Sequence, residues 1–169
     1  MEILLVDGYN MIGAWPELRA LKEKDFAGAR DRLVTLMAEY QGAHGCRVII
    51  VFDAHFVKGT EKKFRDARVE VIFTRENETA DERIEKMAIE LTNVRDQVTV
   101  ATSDYTEQWA VFGQGALRIS ARELLTELSI TQKAIQKNLG EIGWDKPQAR
   151  ISLSKETAEM FEKWRRGEK

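Results

Sequence analysis

Four short apolar runs rich in Val and Ile, at Ile3 to Val6, Arg47 to Phe52, Arg68 to Phe73 and Val98 to Ala101, set the strongest limit on what this chain can become. A weaker run follows at Ala116 to Ile119. Runs of this kind are strands covered on both faces, the condition found inside a helix-covered sheet. Segments with helical spacing lie between them. Phe26 to Tyr40 places Leu33, Leu36, Met37 and Tyr40 on one face, and Glu78 to Val94 does the same with Ile84, Met87, Ala88 and Leu91. A capping-box match, Ser120 with Glu123, opens a further helix through Leu124, Leu125 and Leu128. A last helix at about 155–165 is expected to turn Met160, Phe161 and Trp164 inward. Strands alternating with helices indicate an α/β domain with a mostly parallel sheet.

With 169 residues, 43% of them hydrophobic, and only Pro16 and Pro147 as prolines, the chain can bury a sizeable core. No repeat or linker divides it, so residues 1–169 are expected to form a single domain. The one cysteine, Cys46, has no partner for an internal disulfide, and the Met1 end carries neither a basic leader nor a long apolar run, which points to the cytoplasm. No apolar stretch approaches the roughly 20 residues that span a bilayer, so no membrane partner is expected. The net charge of −2 gives no global sign of a nucleic-acid binder. The charge is uneven, however: Lys58 to Arg68 holds five basic and two acidic residues, whereas Glu76 to Glu90 holds six acidic and two basic.

The strand endings are the more informative feature. In open α/β sheets the ligand crevice lies beyond the carboxyl ends of the strands, and three runs deliver an aspartate there: Asp7 in "LLVDG", Asp53 in "VIIVFDA" and Asp104 in "VTVATSD". Each has a plain structural alternative. Asp7-Gly8 is a common turn pair, and Asp104 or Ser103 suits a helix N-cap with Glu107 closing the box. Asp81 is the fourth. Thr79 with Glu82 matches a capping box, which puts Asp81 in the first turn of a helix starting at the same edge, near the border of the sheet-facing stripe, while Glu82 points to solvent.

Carboxylates gathered in one place repel each other and are costly to bury unpaired, so such a pocket normally holds a cation. An oxygen-only set with no Cys or His cluster suits Mg²⁺ or Mn²⁺. The chemistry that follows is phosphoryl transfer by metal-activated water. Asp7 and Asp104 are the expected ligands, Asp81 a ligand or an orienter of the water, and Asn10 a neutral hydrogen-bonding neighbour of Asp7, a role Ser103 can share.

"VDGYN", "VFDAHFVKG", "ETADERIE" and "ATSDY" together resemble the NYN family, in its YacP-like branch among the PIN-related nucleases, and the likeness runs over essentially the whole chain. It implies a three-layer PIN-like domain with strand order 3-2-1-4-5, helices on both faces and the switch point between strands one and four. It also implies a Mg²⁺- or Mn²⁺-dependent endoribonuclease acting on single-stranded RNA, and for near relatives on mRNA in the ribosomal A site. By position the resemblance carries catalytic roles to Asp7 and Asp81, then Asp104, then Asp53 and Asn10, with Asp53 as a direct or an outer metal ligand.

Other candidates carry less. His44 and His55 form no evident pair, which disfavours metal-free, histidine-driven cleavage, and Cys46 is read as a small buried residue. Lys58, Lys62, Lys63, Arg65 and Arg68, interleaved with Phe56 and Phe64, suit phosphate binding and base stacking, against the alternative of a solvated loop. Lys163, Arg165 and Arg166 around Trp164 are read as a frayed basic end. A receiver-like or phosphatase-like pocket lacks its further acid and lysine. A non-catalytic RNA- or ribosome-binding module that keeps the fold stays open as the alternative to the nuclease.

Overall fold

The computed structural model describes residues 1–54, 68–104, 109, 113, 115–142, 159, 160 and 163. In chain order these form β1 (Glu2–Asp7), α1 (Gly8–Ala14), α2 (Pro16–Lys24), α3 (Phe26–His44), β2 (Arg47–Phe52), β3 (Glu70–Phe73), α4 (Ala80–Leu91), β4 (Gln97–Ala101), β5 (Leu117–Ile119) and α5 (Ala121–Ile142). The strands make one sheet in the order β3-β2-β1-β4-β5, every neighbouring pair parallel. This is the topology that the resemblance implies, with its switch point between β1 and β4.

Alternation along the two central strands divides the core. Leu4 and Val6 of β1, with Val48, Ile50 and Phe52 of β2, pack against α1, α2, α3 and α5 through Met11, Ile12, Leu18, Leu33, Met37 and Leu124. Ile3, Leu5, Ile49 and Val51 face the other way, onto Ile84, Met87 and Ala88 of α4. Successive strand side chains point to opposite faces, so both helix layers are built on the same two strands.

Two helices in the first layer, α1 and α2, have no counterpart in the periodicity of the sequence. Asp7 ends β1 and also caps α1, its Oδ1 accepting from the Asn10 N–H at 3.3 Å, so Asp7-Gly8 opens a helix rather than a turn. Trp15 links α1 to α2, with Pro16 in the first helical position, where its missing N–H is harmless. The Trp15 ring is buried and its Nε1 donates to the Ala121 carbonyl at 2.8 Å, tying this corner to the start of α5.

Gly8 is dictated by contact. A Cβ there would lie inside van der Waals range of the Phe52 ring, which is itself fully buried. Gly8→Ala should therefore cost about 1–3 kcal/mol of overpacking, read as a lower denaturant midpoint at unchanged slope; a midpoint equal to wild type would contradict this packing.

The chain forms two compact units, residues 1–133 and 134–169. The first holds the sheet and the helices up to the middle of α5. The second holds the end of α5 and, among the described residues of the helix expected at about 155–165, Glu159, Met160 and Lys163, all helical. Phe161 and Trp164 lie outside the described residues. Met160 is 63% exposed and does not face inward; helical spacing marks which residues share a face, not whether anything covers that face. Among the described residues no helix is long and apolar enough to cross a membrane.

Candidate active site

The parallel sheet sets β1, β2 and β4 with their carboxyl ends on one edge, and Asp7, Asp53 and Asp104 stand at or just beyond those ends. Asp81 arrives from the other layer. Thr79 caps α4, its Oγ1 accepting from the Glu82 N–H at 3.2 Å while the Glu82 carboxylate accepts from the Thr79 N–H at 3.1 Å. This reciprocal box starts the helix so that Asp81 falls in its first turn, where the positive end of the helix dipole favours a carboxylate. Both Asp81 and Glu82 are exposed.

Asp7 is the buried member, 7% exposed. Burial pushes its carboxyl up from 3.8 to about 6; the Asn10 N–H pulls it back, and the negative charges of Asp81, Asp104 and Asp53, in that order, raise it further. All three acids therefore lie close enough to Asp7 to be felt, and Asp53 is felt least.

The loops that carry these acids are pinned by polar residues absent from the sequence-based set. Thr102, fully buried after β4, donates its N–H to the Ile119 carbonyl at 3.1 Å and receives the Asp104 N–H on Oγ1, also at 3.1 Å. Thr74 does the corresponding work after β3: its N–H donates to the Phe52 carbonyl and its Oγ1 accepts from the Ala54 N–H, both at 3.0 Å, which fixes the turn after Asp53. Both threonines directly follow an apolar strand run, in "EVIFT" and "VTVAT". A β-branched residue with a hydroxyl at that point is the signal that could have found them.

Asn10 acts differently from expectation. Its backbone N–H serves Asp7, but its side-chain Oδ1 accepts from the Ser103 N–H at 2.9 Å, bridging α1 to the loop of Asp104. Ser103 in turn accepts the Ala121 N–H on Oγ at 3.2 Å, at the start of α5. The two residues form a brace across the switch point and fix the separation of Asp7 and Asp104.

The basic candidates divide. Lys58, Lys62, Lys63 and Arg65, with His55, Phe56 and Phe64, lie outside the described residues. Arg68 is exposed and precedes β3, its carbonyl accepting from Gln41 Nε2 at 3.1 Å near the end of α3. It therefore sits at the amino edge of the sheet, about 15 Å, a strand's length, from the acids. His44 also lies away from the acids, stacked on Tyr40 with ring centroids 4.1 Å apart and its Nε2 3.0 Å from Thr131 Oγ1. Burial raises the Cys46 thiol above its ordinary value, the opposite of an activated nucleophile.

Among the described residues no three His, Cys, Asp or Glu side chains converge as a finished metal cage. The donor set nevertheless fits a small hard cation. Mg²⁺ commonly takes one or two carboxylates and keeps water in its remaining positions, and a divalent charge would offset both the burial that chiefly raises Asp7 and the repulsion that adds to it.

The family model of the YacP-like NYN domain matches residues 4–166. The chain belongs to the YacP-like NYN domain family. A Bacillus subtilis (strain 168) protein, YacP, is 62% identical over 168 residues, covering 99% of each chain. The crystal structure of Rae1 (YacP) from Bacillus subtilis is 63% identical, with a TM-score of 0.79 over 99% of this chain and 96% of the other. That of its W164L mutant is 59% identical, with a TM-score of 0.77 over 98% and 96%. The NYN assignment gives the chain a PIN-like nuclease fold and a nuclease-type, RNA-related role.

Proposed function

We propose that this NYN domain is a divalent-metal-dependent endoribonuclease that cuts single-stranded RNA in the cytoplasm, on mRNA presented in the ribosomal A site. The reading is carried by one observation: buried Asp7 is placed at a strand end within electrostatic reach of Asp81, Asp104 and Asp53. Asp7, Asp81 and Asp104, with Asp53 at the margin, would hold a Mg²⁺ or Mn²⁺, which would supply activated water and offset the charge on the phosphate.

The chain's own residues do the rest. Asp7 is mainly ionised above about pH 6, and Asn10 and Ser103 hold its spacing to the Asp104 loop. Asp81 and Asp104, both exposed, leave the mouth open to a strand of RNA. The first test is cleavage of single-stranded RNA with added Mn²⁺ or Mg²⁺ and its loss on chelation. Binding without cleavage in either metal would favour the non-catalytic module instead.

Presentation by the ribosome answers a charge problem. A chain of net charge −2 with four aspartates around its mouth repels a polyanion, and one short basic segment offers few phosphate contacts. Lys58, Lys62, Lys63 and Arg65 are proposed to grip ribosomal or messenger RNA, with Arg68 reaching a different phosphate from its place at the far edge. Charge reversal at Lys62 and Lys63 together should weaken ribosome association several-fold at low salt, and the deficit should shrink as salt rises. Unchanged sedimentation with ribosomes across a salt titration would remove this segment from the interface.

A further inference from the structure

Trp109 is 71% exposed, and the other large exposed apolar side chains among the described residues are aliphatic. It is helical and lies five residues beyond Asp104, in the connection that leaves the carboxyl end of β4. Five residues span at most about 18 Å even fully extended, and less where they are helical, so Trp109 lies within that reach of Asp104. The rings on the Asp7 side are engaged with one another: Tyr9 packs on Phe26 and Phe52 with centroids 5.3 and 5.1 Å apart, and Phe52 on Phe73 at 5.7 Å. Trp109 instead offers its ring to solvent.

We infer that Trp109 is a substrate-positioning residue that stacks on a nucleobase of the RNA strand flanking the scissile phosphate; the inference rests on the endoribonuclease reading. Four aspartates make the mouth a poor place for phosphate contacts, whereas a base presents a neutral π-face that an indole can hold irrespective of charge. Stacking is also indifferent to base identity, since every base has such a face. Trp109 thus supplies a part of strand binding that the acids cannot supply, and that part is insensitive to salt.

The test measures anisotropy of a short fluorescein-labelled single-stranded RNA on the full-length Asp7→Asn protein, with and without Trp109→Ala or Trp109→Phe, alongside cleavage by the Trp109 variants in the wild-type background. Trp109→Ala should weaken binding about tenfold with an unchanged salt slope, and Trp109→Phe should restore most of it. Replacing single bases by abasic sites should weaken binding at one position near the cut, and only when Trp109 is present. Melting temperatures should not move, because the ring is exposed. Equal affinity for Trp109→Ala, or the same abasic sensitivity with and without the indole, would overturn the inference while wild-type cleavage still upheld the nuclease. No binding and no cleavage of RNA by wild type would overturn both.

Discussion

Asp7→Asn should melt about 5–10 °C above wild type at pH 7.5 without divalent metal, and at the same temperature as wild type near pH 4. In the unfolded chain this carboxyl ionises at its ordinary 3.8, and in the fold at about 6. Between those values the native state keeps a proton that the unfolded state releases, so stability falls as pH rises through that window, and above it the full penalty remains. A shift of about two units corresponds to about 3 kcal/mol, little screened because Asp7 is 7% exposed. In a domain of this size that is about 5–10 °C. Asparagine keeps the oxygen that accepts the Asn10 N–H but cannot take a charge. Added Mg²⁺ should raise the wild-type melting temperature at pH 7.5 and close most of the gap. Thermal scans over pH 4 to 8 check this, and a gap that does not change with pH would show that burial of Asp7 is not its source.

The second large effect concerns delivery. At equal Mg²⁺, a message being translated should be cut on the order of 100-fold faster than the same message naked. On the proposed reading the acidic mouth should bind free RNA weakly, whereas a ribosome holding both the strand and the protein would turn the encounter into a local one, and effective concentrations gained in this way are of that order or more. Primer extension on the two forms of one message reads it out. Equal cutting of the naked RNA would leave a general single-strand endonuclease and remove the ribosome from the account.

The positions that sequence made legible share one property: their pattern is local. The strand runs, the α3 and α4 stripes, and the boxes at Thr79 with Glu82 and Ser120 with Glu123 each sit within a few residues, and each stands where expected. The aspartates were visible for the same reason, as polar endings on apolar runs. The order of the strands was not written in periodicity and came from the family resemblance alone. Gly8 to Lys24 was missed because α1 is seven residues long, contains Gly8 and Gly13, and shows too few turns for a 3.6-residue stripe to emerge. Asn10 was expected beside Asp7, and its backbone N–H is there, but its side-chain link to Ser103 crosses 93 residues of sequence and left no local pattern. Arg68 belonged by charge to the basic segment but, by the direction of β3, to the opposite edge. Trp109 had no pattern around it, and its exposure distinguishes it only in three dimensions.

The central claim is that Asp7 and Asp81 serve one metal-dependent cleavage site. Its most direct test compares wild type, Asp7→Asn and Asp81→Asn in Mn²⁺ on one single-stranded RNA, with melting curves confirming that all three are folded. The account predicts cleavage by wild type, lost on chelation, and a fall on the order of 10³-fold in each variant. Either variant, folded, cutting at the wild-type rate would contradict it.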